Sequence, residues 1–143
     1  MNHHQITLVQ SSFDHVAPIA DRAATLFYAR LFELDATLRP LFPNDLAAQK
    51  AKLMHTLTLV MRGLTNLEKL VPAVEQLGMR HAGYGVQTDH YQTVGAALLW
   101  TLEQGLGSLY TAEVAKAWTA AYTLLAGVMQ QAAAQVENST AAA

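Results

Sequence analysis

The chain is 143 residues long, which suits one domain able to bury about two-thirds of the surface exposed by its unfolded state. Apolar residues make up 52% of it and charged residues only 14%, against about 25% charged in an average domain, so the apolar surface exceeds what a small polar module needs. A net charge of −2 with no basic run argues against nucleic acid as a partner, and the absence of cysteine removes disulfides, thiolate metal sites and thiol nucleophiles together.

The N-terminus, Met1-Asn2-His3-His4-Gln5, lacks the layout of a secretory signal. The longest apolar runs, such as Ala96 to Trp100, fall far short of the roughly 20 residues that span a bilayer, so a cytoplasmic protein with no membrane span is expected. No segment alternates like a strand, whereas a helical period recurs from end to end. The spacing predicts a first helix near Thr7 to Val16 and a second from about Pro18 to Phe32, with Pro18 in the first turn where its missing N–H costs nothing. A short helical turn follows at Asp35 to Leu41, closed by the breaker Phe42-Pro43-Asn44-Asp45. The next helix runs from Leu46 to Arg62 and stops at Gly63; another follows the Thr65-Asn66 cap and ends in Ala82-Gly83-Tyr84-Gly85. Two long helices, Asp89 to Gln104 and Ala112 to Ala134, are separated by Gly105-Leu106-Gly107-Ser108, with Thr111 as a cap. The expectation is one all-α domain over 1–143 with its core at about 7–136 and a frayed tail over 138–143.

The informative positions in such a chain are polar residues on apolar stripes. Leu70, Val74, Leu77 and His81 are spaced four, three and four apart and share a face, which aims His81 inward near a helix end. Such a histidine either bonds a neighbouring carbonyl or ligates a metal. One histidine cannot cage zinc, but a porphyrin supplies four nitrogens and asks the protein for a single axial ligand. Gln49 interrupts the stripe Leu46, Leu53, Leu57, Val60 and Leu64, either reaching water or facing a site. Tyr28 follows Phe27, and a hydroxyl aimed into a core must find a partner, which is most often a backbone carbonyl. His55 lies on a different helix face from Gln49, and His3, His4 and His15 fall in or near the polar N-terminal region, so no competing enzyme site emerges.

Taken together, these residues resemble the bacterial globin pattern of flavohaemoglobins and single-domain haemoglobins, over roughly Thr7 to Gln131. Leu26-Phe27-Tyr28-Ala29-Arg30-Leu31-Phe32 is similar to the family's second helix, and Leu41-Phe42-Pro43 to its corner. Gln49-Lys50-Ala51-Lys52-Leu53-Met54 resembles the distal helix. Arg80-His81-Ala82-Gly83-Tyr84-Gly85-Val86 followed by His90-Tyr91-Gln92-Thr93-Val94-Gly95 resembles the proximal signature, and Ala117-Trp118 with Ala121-Tyr122 the last helix. The resemblance implies a globin fold of seven to eight helices, three over three, enclosing one haem b (iron protoporphyrin IX). It implies His81 as the iron ligand, Tyr91 beside it, and Phe42 and Val86 against the ring. On the gas side it implies Tyr28, Gln49 and Leu53, while Lys52 either reaches a propionate or is simply solvated. Bis-histidine coordination is not implied, because the distal position carries glutamine.

In one place the sequence departs from the pattern. The family's glutamate, which strengthens the proximal histidine through a tyrosine, would fall at Ala133; Glu137 lies a turn beyond. A less anionic histidine disfavours O–O cleavage. The reading that follows is high-affinity reversible binding of oxygen, nitric oxide or carbon monoxide, for storage or scavenging. Its alternatives are a nitric oxide dioxygenase dependent on a separate reductase, since no Gly-x-Gly-x-x-Gly segment is present, a gas sensor acting through a partner, and a haem-free helical interaction module.

Overall fold

The computed structural model describes the backbone of residues 1–83 and 86–142 and the side chains of 1–83 and 86–136. Helix α1, His3–Val16, starts four residues before the hydrophobic period does, because Asn2 and Gln5 close a capping box: the Gln5 N–H donates to the Asn2 side chain at 2.8 Å and the Asn2 N–H to the Gln5 side chain at 3.2 Å. Pro18 opens a single 3-10 turn, Ala17–Ile19, and α2 follows over Ala20–Leu34. The Asp35 side chain then accepts from the Thr37 N–H at 3.0 Å and starts a second 3-10 segment, Ala36–Leu41.

Helix α3 spans Ala47–Gly63, and the Asp45 carboxylate accepts from the Ala47 N–H at 2.9 Å ahead of it. Helix α4 spans Leu67–Gly83 with Pro72 inside it, and α5 spans Thr88–Leu106. The chain breaks at Gly107, whose φ of 55° lies in the left-handed region that favours glycine, two residues later than the expected stop at Gly105. A 3-10 turn, Gly107–Leu109, leads into α6, Ala112–Ala142, whose start is capped by Thr111 Oγ1 accepting from the Val114 N–H at 3.2 Å.

The expected seven to eight helices are therefore corrected: the described residues form six α-helices and three 3-10 turns, with no strand. The segment 35–41 fails to become an α-helix because Pro40 lacks the N–H an i→i−4 bond needs. The frayed tail expected over 138–143 falls on residues whose side chains lie outside the described set, as do Tyr84 and Gly85 of the proximal motif altogether.

The helices pack as α4 along α6, α2 along α5 and α1 against α6, with α3 touching α1, α2 and α4. The core is continuous across these contacts, with Val9, Leu31, Leu64, Val74 and Trp118 fully enclosed. The indole N–H of Trp118 donates to Ser12 Oγ at 2.8 Å, which ties α6 to α1 and satisfies a buried polar group. No described helix is long and apolar enough to cross a membrane.

Candidate functional site

Two groups of predicted residues are assembled, one around Tyr28 and one around His81. Tyr28 stands on α2, 3% exposed, among Phe27, Phe42 and Phe32, whose ring centroids lie 5.0, 5.5 and 6.1 Å away. Burial pushes its hydroxyl pKa above the ordinary value, an effect opposed by a side-chain hydrogen bond with Gln49 in the first turn of α3. The hydroxyl therefore stays protonated at neutral pH and keeps a hydrogen to donate.

Phe42, half-buried, follows the 3-10 segment at the corner. Arg39 clasps that corner: its guanidinium donates to the carbonyls of Phe42, Pro43 and Asn44 at 3.2, 2.9 and 3.0 Å and lies 5.3 Å from the centre of the Phe32 ring. Leu53, one turn after Gln49, helps line an apolar cavity of ≈ 20 Å³ together with Phe27, Leu57 and Leu98. That is room for about one water-sized molecule, on walls that offer it no polar partner. Lys52 is exposed on α3, and no ion pair or side-chain hydrogen bond of the described residues draws it into this group.

His81 occupies the last turn of α4, half-buried, with Nδ1 2.6 Å from the Leu77 carbonyl. A carbonyl can only accept, so Nδ1 carries the hydrogen and the lone pair of the neutral ring sits on Nε2. A ligating histidine is commonly prepared in this way, its other nitrogen tied to a carbonyl. The half-buried Val86 returns to this turn through its N–H, which donates to the His81 carbonyl at 3.1 Å. Tyr91 is 9% exposed on the first turn of α5, and burial raises its pKa. Its carbonyl accepts from the Tyr122 hydroxyl at 2.6 Å. Tyr122 lies so close to α5 that a Cβ on Gly95 would sit 2.7 Å from its ring. Burial and the neighbouring Tyr91 raise the Tyr122 pKa well above its ordinary value.

Sequence reasoning missed several residues that position this site. A neighbouring carbonyl was one of the two partners offered for His81, but it was not assigned to Leu77, which was read only as part of an apolar stripe. The Arg39 clasp and the Tyr122–Tyr91 bond carried no local signal. Gly78 was passed over as one residue inside a helix, yet a Cβ there would lie 2.3 Å from the Met129 carbonyl oxygen.

Among the described residues no group of three or more His, Cys, Asp or Glu could hold a bare metal ion. The class of protein that fits this fold and site is the haem proteins. The globin family profile matches residues 25–129, and the chain belongs to the globins.

Individual relatives agree with that placement. The chain is 31% identical over 139 residues to a flavohemoprotein of Xylella fastidiosa, across 94% of this chain and 34% of that one. It is 30% identical over 126 residues to a flavohemoprotein of Vibrio cholerae, across 86% and 32%. It thus spans about a third of the length of the flavohemoproteins it matches. A neuroglobin of Chaenocephalus aceratus is 27% identical over 138 residues, 87% of each chain. Among solved structures, an engineered carbene transferase based on a Rhodothermus marinus protein described as a candidate nitric oxide dioxygenase aligns with a TM-score of 0.84 at 27% identity, covering 99% of both chains. A bacterial globin of Campylobacter jejuni aligns at 0.79 and 22% identity over 96% of this chain and 99% of that one, a likeness of fold.

The resemblance read on Tyr28, Phe42, Gln49 and His81 thus identifies the right family. Haem b is that family's typical cofactor, and the carbonyl-oriented imidazole of His81 fits it.

Proposed function

We propose that this globin converts nitric oxide and dioxygen to nitrate, drawing one electron per turnover from a reductase outside these 143 residues. The balance is one nitric oxide, one dioxygen and one electron in, one nitrate out. Haem, when bound, would supply the metal that takes a diatomic gas, and the reductase would supply the electron. His81 Nε2 would hold the iron, with the ring oriented by the Nδ1 bond to the Leu77 carbonyl. Phe42 and Val86 would pack against the ring, and Tyr91 would stand on the histidine side. The Tyr28 hydroxyl and the Gln49 amide would donate to the bound gas, and Leu53 would limit the space beside them.

The observation that carries the reading is the buried Tyr28 hydroxyl, protonated and set among Phe27 and Phe42, with the half-buried Gln49 side chain as its hydrogen-bond neighbour. Two donors, each contributing about 1–3 kcal/mol toward a partly charged ligand, hold it long enough for a second gas to arrive. The names of the flavohemoproteins and of the Rhodothermus marinus protein support turnover over simple oxygen storage. Reversible binding is the second reading, favoured by Ala133 where the family's glutamate would stand. Nitrate measured against nitric oxide supplied, in the presence of a generic flavin reductase, separates the two. Many nitrates per chain support the dioxygenase; a single stoichiometric burst leaves only a gas-binding protein.

A further inference from the structure

The charge of this chain is unevenly distributed. Helix α3 carries Lys50, Lys52 and Arg62 and no acidic residue, whereas the whole chain has a net charge of −2, so everything outside α3 sums to −5. Lys52, His55, Leu59 and Arg62 follow at intervals of three, four and three, which sets them in one stripe along the helix, and all four are exposed. Leu59, at the middle of the stripe, is 56% exposed, more than any other large apolar side chain among the described residues. The ion pairs of the described residues join His4 to Glu113 and Arg30 to Glu33, so Lys52 and Arg62 keep their charge for a partner.

An apolar side chain flanked along one helix by cations suits a small electron-transfer interface, in which charge steers the encounter and a limited apolar contact seats it. The same helix carries Gln49 and Leu53 on its site side. We propose that the Lys52–His55–Leu59–Arg62 stripe of α3 docks an acidic flavoprotein. Its reduced flavin gives up one electron, which passes to the haem of this chain. The inference rests on the dioxygenase reading for its purpose and names the partner of that same site.

The test uses the haem-loaded chain with a reduced acidic flavodoxin as probe. Isotope-edited amide spectra, recorded without nitric oxide, are expected to shift at Lys52, His55, Leu59 and Arg62 on adding flavodoxin. In stopped flow, Leu59→Glu combined with Arg62→Glu is expected to slow haem reduction by flavodoxin by about tenfold or more at low salt, with the difference closing at high salt. Reduction by a small free flavin is expected to be the same for both proteins, which shows that the variant is intact. Shifts confined to another face, an equal flavodoxin rate in the variant, or the same shifts on concentrating the chain alone, which would assign the stripe to a second copy, would overturn the proposal. Docking on α3 without nitrate formation would defeat the dioxygenase reading and leave the surface standing. Nitrate formation with a flavodoxin rate indifferent to the variant would do the reverse.

Discussion

Gly78→Ala is the perturbation whose consequence is best defined by the geometry. A Cβ at this position would lie 2.3 Å from the Met129 carbonyl oxygen, 2.6 Å from its Cα and 2.8 Å from its carbonyl carbon. All three are backbone atoms of α6, so no rotamer change relieves the contact. Restoring even the 3.0 Å that real Cβ contacts respect requires α4 and α6 to part by about 0.7 Å. Alanine gains about 1 kcal/mol of helix propensity over glycine, while overpacking against fixed atoms costs about 1–3 kcal/mol, so a net loss of stability is expected. His81 is three residues further along α4 and moves with it, and functional groups tolerate about 0.5 Å of misplacement.

The assay is resonance Raman of the ferrous haem-loaded protein, read at the iron–histidine stretch, together with the rate of haem loss to an apoglobin acceptor. Gly78→Ala is expected to shift or broaden that band and to speed haem loss severalfold. Gly127→Ala, whose Cβ would meet nothing within 4 Å, is expected to change neither. A Gly78→Ala protein with the parent band and the parent haem-loss rate would refute the argument that α4–α6 contact sets the depth of His81.

Other consequences are separable. Tyr28→Phe removes the hydroxyl and is expected to speed oxygen dissociation about tenfold or more, since about 1.4 kcal/mol is a factor of ten; an unchanged rate by flash photolysis removes Tyr28 from the gas site. Ser12→Ala leaves the Trp118 N–H buried without its acceptor and is expected to cost about 1–3 kcal/mol in urea unfolding, and a loss near zero would contradict that bond's role. Tyr28, Tyr91, Tyr110 and Tyr122 all have pKa values raised by burial, so their protons are held more tightly in the folded state than in the unfolded one. The stability they contribute is complete below the unfolded pKa of 10.0 and is lost as pH rises through the folded values. Tyrosinate absorbance for these side chains should therefore appear above the ordinary value of 10.0, and their ionisation near pH 10 in a protein of undiminished stability would contradict the burial argument.

Much of the frame was legible because it rests on local signals. The period-3.6 stripes gave the long helices, and Pro18, Gly63 and Thr111 marked ends close to where they occur. The start of α1 was placed late because hydrophobic periodicity ignores His3 and His4, whereas the Asn2–Gln5 capping box does not depend on apolar residues. The helix count was set too high because the resemblance supplied a number that the 35–41 segment, with Pro40 inside it, does not meet. Tyr28 and Gln49 were legible as two separate polar anomalies, on different helices, but not as neighbours. The Arg39 clasp, the Tyr122–Tyr91 bond and the Gly78–Met129 approach were not, since each depends on how two distant stretches meet in space.

The most direct measurement is the visible spectrum of the purified chain reconstituted with haem, before and after dithionite and carbon monoxide, for the parent and for His81→Ala. The account predicts a globin-type ferrous–carbonyl spectrum at one haem per chain that is lost or strongly weakened in the variant. Haem uptake indifferent to His81, or no specific uptake at all, would contradict it.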